Sequence, residues 1–145
     1  MTPKRSTPAG PRVAVIGAGS WGTTFGKILA DGGAQVTMWA RRAELAHEID
    51  EAKRNSRYLP GINLPRTMAA THELAIALRD VDQVYLSVPS QSLRENLKAL
   101  RPLLSDNDAK IVSLMKGVER TSGLRMSQVI EQELRCDPDP VSYTH

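Results

Sequence analysis

The sequence is short of every feature that would commit it to a special environment. It has one cysteine, Cys136, in 145 residues. That excludes an internal disulfide framework and suits a reducing compartment. No apolar run approaches the roughly 20 residues of a membrane-spanning helix. The opening stretch, Met1 to Pro11, holds three prolines and no apolar core. It therefore lacks the pattern of a secretory signal and reads as a disordered lead-in. The formal charge is only +3, and no arginine-rich run marks a nucleic-acid binder. The three histidines, His47, His72 and His145, show no metal-ligand spacing and read as surface residues. Cys136 has no base partner nearby and reads as structural, no Ser-His-Asp arrangement is visible, and the chain has no internal repeat.

What the sequence does have is a glycine-punctuated turn. The apolar run Val13-Ala14-Val15-Ile16 enters Gly17-Ala18-Gly19-Ser20-Trp21-Gly22, and a helix-period segment leaves it. Each glycine of this G-x-G-x-x-G pattern has a separate physical task. Gly17 makes the tight strand-to-helix turn, Gly19 leaves the backbone open to a pyrophosphate, and Gly22 lets helix and strand pack closely. The phosphates of a dinucleotide would then face free N–H groups at the positive end of the helix.

The rest of the chain alternates strands and helices. Strands are expected at Arg12 to Ile16, Gln35 to Ala40, Thr67 to Ala70, Gln83 to Val88 and Lys110 to Met115. Helices are expected at Ser20 to Ala30, Ala43 to about Arg54, His72 to Leu78, Ser90 to about Leu100 and Leu124 to Leu134. Asp31-Gly32-Gly33 stops the first helix, and Thr71 and Ser90 are the expected N-caps of the third and fourth. Asn55 to Pro65, with Pro60-Gly61 inside it, is a loop. The alternation predicts an α/β fold, a doubly wound, mostly parallel sheet of Rossmann type. Residues 12–136 read as one nucleotide-binding domain, and 137–145 as a loop entering a strand that is cut off. The chain thus reads as a piece truncated before a further domain.

Two places could carry chemistry. The second strand ends Trp39-Ala40-Arg41-Arg42, about 20 residues past the glycine turn, where an acid selects NAD and arginine accommodates the 2′-phosphate of NADP. Arginine brings a planar fork for phosphate and a face for stacking. Two solvated arginines opening a helix are the plain alternative. Lys116 follows a buried strand and precedes Gly117, outside a strand carboxyl end where such sheets bind ligands. A surface charge is the alternative there.

Four blocks, in order, extend the pattern: Gly17-Ala18-Gly19-Ser20-Trp21-Gly22-Thr23, Asn55-Ser56-Arg57-Tyr58-Leu59-Pro60-Gly61, Ser87-Val88-Pro89-Ser90-Gln91 and Lys116-Gly117-Val118-Glu119. Together they resemble the N-terminal, cofactor-binding domain of the bacterial-type NAD(P)-dependent glycerol-3-phosphate dehydrogenases. The Arg-Tyr-Leu-Pro-Gly block is the most specific of them. The chain departs from the family in carrying Leu114-Met115 where a small or hydroxyl residue is usual.

The resemblance implies roles residue by residue. Gly17, Gly19, Ser20, Trp21 and Gly22 would meet the cofactor at the turn, Arg41 and Arg42 its 2′-phosphate, and Tyr58 would reach it from the long loop. Lys116 would touch both cofactor and sugar phosphate. The implied reaction is reversible hydride transfer between NADP(H), or NAD(H), and the C2 carbonyl of dihydroxyacetone phosphate, giving sn-glycerol 3-phosphate for glycerophospholipid synthesis in the cytoplasm. The general acid/base lysine would lie in a C-terminal helical domain, which could also form a homodimer. The 145-residue chain alone is therefore expected to be inactive, with a phosphorylated small molecule as substrate and neither metal, nucleic acid nor membrane span involved. An NADP-binding sensor without chemistry and a keto-acid reductase are the alternatives.

Overall fold

The run Val13-Ala14-Val15-Ile16 is apolar at every position because both of its faces are covered. Val13 and Val15 point into one buried cluster and Ala14 and Ile16 into another, and all four are at most 1% exposed. The strand β1 (Arg12–Ile16) thus sits at the centre of the sheet, between β2 (Gln35–Trp39) and β4 (Gln83–Leu86). The computed structural model describes residues 10–105, 107–134 and 141–143. The expected disordered lead-in (all but Gly10 and Pro11), Cys136 and His145 lie outside the described residues.

Six parallel strands run in the order β3-β2-β1-β4-β5-β6, with β3 at Ala69–Thr71, β5 at Lys110–Ser113 and β6 at Val141–Tyr143. The order reverses direction between β1 and β4, the topological switch point at which such sheets bind ligands. One face is covered by α1 (Ser20–Asp31) and α2 (Ala43–His47), the other by α4 (Leu93–Leu104) and α5 (Met126–Leu134). A short α3 (Leu74–Ala77) follows β3. Close packing is visible at Gly26, where an added Cβ would meet Met38 Sδ at 2.6 Å and Met68 Cε at 3.1 Å. On the other face Leu93, Leu97 and Leu100 of α4, at helical spacing, are fully buried.

The doubly wound parallel fold is as expected from the sequence, and the differences lie at element ends. The second helix is regular only to His47. It continues as a π-helical turn over Glu48–Ala52 and stops at Lys53, which takes φ 55°. Lys53 Nζ donates to the Met68 carbonyl at 2.6 Å, and its own carbonyl accepts from Leu64 N–H at 2.8 Å. Thr71 does not cap α3: it ends β3, and its hydroxyl accepts from Glu73 N–H at 3.0 Å. Ser90 opens a 3-10 turn (Ser90–Ser92) rather than α4, which then runs past Leu100 and contains Pro102 in its last turns. That proline removes a donor for the carbonyl of Lys98, an exposed residue open to water. β4 and β5 end at Leu86 and Ser113, two residues earlier than the apolar runs suggest.

The segment after β5 is pinned from α4. Arg94 holds Glu119 with both nitrogens of a fork, Nε at 2.9 Å and Nη2 at 2.8 Å, and Nη1 binds Glu133 of α5. Ser122 Oγ donates to Glu119 at 2.6 Å. Gln91 clamps the same segment, donating to the Val118 carbonyl and accepting from Arg120 N–H. The Arg94 hydrogen bonds, then that of Ser122, hold the Glu119 carboxyl at about 2, below its ordinary 4.5, against the opposing effect of burial. A carboxyl lowered on folding stabilises fully above its unfolded value, and that contribution is lost as pH falls toward the folded value. The stability gap between the wild type and Glu119→Gln is therefore expected to be widest near neutrality and to close between pH 4.5 and 2. Thermal melts across that range test it; a gap independent of pH would assign Glu119 to packing alone.

Candidate functional site

The glycine turn separates its three tasks geometrically. Gly17 has φ 119°, donates its N–H to the Trp39 carbonyl at 3.0 Å, and would drive a Cβ to 2.2 Å from the Ser87 carbonyl oxygen. At Gly22 a Cβ would lie 2.2 Å from the Gly17 carbonyl oxygen. Both glycines are demanded by the fold. Gly19 is different: it is the N-cap of α1 with φ −74°, a value any residue adopts, and beyond its own chain neighbours no protein atom lies within 4 Å of where its Cβ would be. The space that a side chain there would take is open.

That space belongs to a cleft of about 530 Å³ across the carboxyl ends of β1, β2 and β4. Its floor is the turn Gly17 to Gly22 together with Ser87, Val88 and Pro89. Trp39 to Arg42, Leu45 and Tyr58 form one wall, and Ser92 and Asn96 the other. The first turn of α1 carries no acidic side chain, and its N–H groups have no intrahelical acceptors, as at any helix start. A dinucleotide pyrophosphate fits this cradle. Among the described residues, neither Arg41 nor Arg42 is in a salt bridge, so both guanidiniums stay free at the β2 end of the cleft.

Eight of the nine residues singled out from the sequence therefore share one cleft: Gly17, Gly19, Ser20, Trp21, Gly22, Arg41, Arg42 and Tyr58. Lys116 does not line it. It lies three residues beyond the end of β5, in a separate hollow of about 350 Å³ with Ser113, Met115, Gly117, Arg125, Met126 and Ser127. The two hollows open at the ends of adjacent strands, joined where Leu114 N–H donates to the Leu86 carbonyl at 3.0 Å.

One residue of the site escaped the sequence reading as an individual. Asn55 is fully buried, and its Nδ2 donates to the Ala18 carbonyl at 2.9 Å and to Thr23 Oγ1 at 2.8 Å. Its Oδ1 accepts from Tyr58 N–H at 3.1 Å, and its carbonyl from Leu59 N–H at 2.8 Å. One amide thus joins the glycine turn, α1 and the loop that carries Tyr58. The only sequence signal for it is that Asn55 heads the block ending in Pro60-Gly61.

The family described as NAD-dependent glycerol-3-phosphate dehydrogenase N-terminus matches residues 12–143. Among curated relatives, a glycerol-3-phosphate dehydrogenase [NAD(P)+] of Leifsonia xyli subsp. xyli is 60% identical over 128 residues, covering 88% of this chain and 34% of the relative. One of Streptomyces avermitilis is 50% identical over 137 residues, covering 94% and 40%. Among solved structures, glycerol-3-phosphate dehydrogenase from Coxiella burnetii superposes with a TM-score of 0.82 at 31% identity, over 94% of this chain and 40% of that one. The chain thus spans between a third and two fifths of the length of these relatives.

The contrast among the glycines yields a clean test. Gly19→Val is expected to fold, with its melt lowered by no more than the modest cost of an apolar residue at an N-cap, while losing NADPH binding in a fluorescence titration. Gly17→Ala, strained and 2.2 Å from a carbonyl oxygen, is expected to lose the fold itself. Unaltered NADPH affinity in Gly19→Val would count against the cleft.

Proposed function

This chain belongs to the NAD-dependent glycerol-3-phosphate dehydrogenase family, and from that premise we propose that it is the NADP(H)-holding part of an enzyme that reduces dihydroxyacetone phosphate to sn-glycerol 3-phosphate. The observation that carries this reading is the single cleft at the switch point that unites the glycine turn, the two free arginines and Tyr58. A sensor module or a keto-acid reductase would leave the family match and the Arg57-Tyr58-Leu59-Pro60-Gly61 block unexplained. The proposal places this work in the cytoplasm, in glycerophospholipid synthesis, with a homodimer formed through a C-terminal part.

The nicotinamide cofactor supplies the hydride when bound. The chain's residues bind and orient it. The α1 N-terminus and the open backbone at Gly19 receive the pyrophosphate, and Arg41 and Arg42 give the 2′-phosphate charge-assisted hydrogen bonds. Lys116, an ammonium beside the ends of β4 and β5, supplies positive charge toward the substrate oxygen. Hydride transfer also needs a proton donor and a site closed to water, and the resemblance puts the general acid/base lysine beyond this span.

Replacing Arg41 and Arg42 together by alanine is expected to weaken NADPH by about ten- to a hundredfold, the worth of a charge-assisted phosphate contact, with NADH little changed. Equal losses for the two cofactors, measured by titration, would leave the arginines only a stacking or stability role.

Turnover is the second test. The chain alone is expected to bind cofactor without reducing dihydroxyacetone phosphate. In a longer enzyme carrying this part, Lys116→Ala is expected to lose most of the activity, and Lys116→Arg to recover it incompletely, because a flat fork copies a compact ammonium poorly. A fully active Lys116→Ala enzyme would return Lys116 to the surface charges.

A further inference from the structure

From the free cations at the β2 end of the cleft we infer that Arg57 is a third reader of the 2′-phosphate, and so a determinant of NADP(H) over NAD(H) preference. The inference rests on the reading of the cleft as the NADP(H) site. Arg57 belongs to a different segment from Arg41 and Arg42, and only the fold brings them together. Arg42 lines the main cleft and also an adjoining hollow of about 350 Å³, whose other side is formed by Arg57.

Three features argue that this position is used. The Arg57 guanidinium carbon lies 5.5 Å from the centre of the Tyr58 ring, a cation–π distance that holds a long side chain at the rim of the cleft. Two carboxylates, Glu44 and Glu48, share the hollow with Arg42 and Arg57, yet among the described residues neither arginine is ion-paired. Glu48 is committed instead to Ser56, accepting from its hydroxyl at 2.6 Å and its N–H at 3.3 Å. Finally, Asn55 fixes the backbone two residues before Arg57 and one after it through Ala18 and the Tyr58 N–H. Glu44 and Glu48 offset part of the positive charge of this corner without pairing directly with its arginines, so the guanidinium donors of Arg41, Arg42 and Arg57 stay available to a phosphate dianion. The end of β2 is where the adenosine ribose of a dinucleotide lies in this fold, so the ligand class is a 2′-phosphorylated adenosine.

Adenosine 2′,5′-bisphosphate and 5′-AMP isolate the contribution of the one phosphate. Calorimetric titrations of the wild-type chain, Arg57→Ala and Arg57→Lys test it, with melting curves to verify that the exposed substitutions leave the fold intact. Arg57→Ala is expected to weaken adenosine 2′,5′-bisphosphate and NADPH by about three- to tenfold and 5′-AMP and NADH by less than about twofold. Arg57→Lys is expected to fall between wild type and alanine. Equal weakening of both nucleotides would show Arg57 acting only through Tyr58 and overturn the inference, as would no change in either. In both those cases the site itself would stand. A wild-type chain that binds neither nucleotide nor NADPH would overturn the reading of the cleft along with it.

Discussion

The cleft depends on one carboxamide. Asn55 is buried in a loop that has little core of its own, and both ends of its amide are engaged: its two N–H donors go to Ala18 and Thr23, and its oxygen accepts from Tyr58 N–H. A buried hydrogen bond adds only about 1 kcal/mol net, but an orphaned buried partner costs about 1–3 kcal/mol. Loss of the amide would orphan Thr23 Oγ1 and the Ala18 carbonyl together, so the loop and the glycine turn are bound to a common fate. Among the described residues, no buried side-chain nitrogen or oxygen lacks a partner. The loop's second anchor, Lys53 to Met68 and Leu64, closes it at its base. Between the two, Arg57 and Tyr58 are presented on an arch pinned by hydrogen bonds.

The sheet supplies the reason this arch has something to face. The side-chain alternation of β1 feeds two apolar clusters at once, which forces helices onto both sides. With helices on both sides, the connections must diverge at β1 and β4, and divergence opens the crevice. Burial, topology and cleft are therefore one consequence of the run Val13 to Ile16. The Arg94 fork does the corresponding work on the other half, tying the segment that bears Lys116 to two helices through Glu119 and Glu133.

What was legible in the sequence was what is written locally. Apolar runs, glycine spacing and the arginines after β2 lie within short stretches, and their geometry follows from them. The caps at Thr71 and Ser90 failed because a hydroxyl's choice between capping, turning and strand pairing is made by its surroundings. The π-helical turn of Glu48–Ala52 was illegible for a related reason: Ala, Glu and Lys composition favours helix without specifying its pitch. Asn55 looked like any polar loop residue, since its burial is conferred by α1, 32 residues earlier at Thr23. The pairing of Arg94 with Glu119 spans 25 residues and leaves no periodic trace. The role of Tyr58 is implied by resemblance alone, whereas Lys116 also stands out by its position past a strand end, and the fold separates the two into different hollows.

The division of labour among Gly17, Gly19 and Gly22 leaves a record that outlasts function. Two of the three glycines answer to carbonyl oxygens 2.2 Å away, and the third answers only to open space. In a lineage that ceased to hold a dinucleotide, selection for folding would go on preserving Gly17 and Gly22, while Gly19 would be free to drift. The middle position alone would then distinguish a working nucleotide domain from its retired cousin, and a comparison of genomes could date the retirement by the side chains that have collected there.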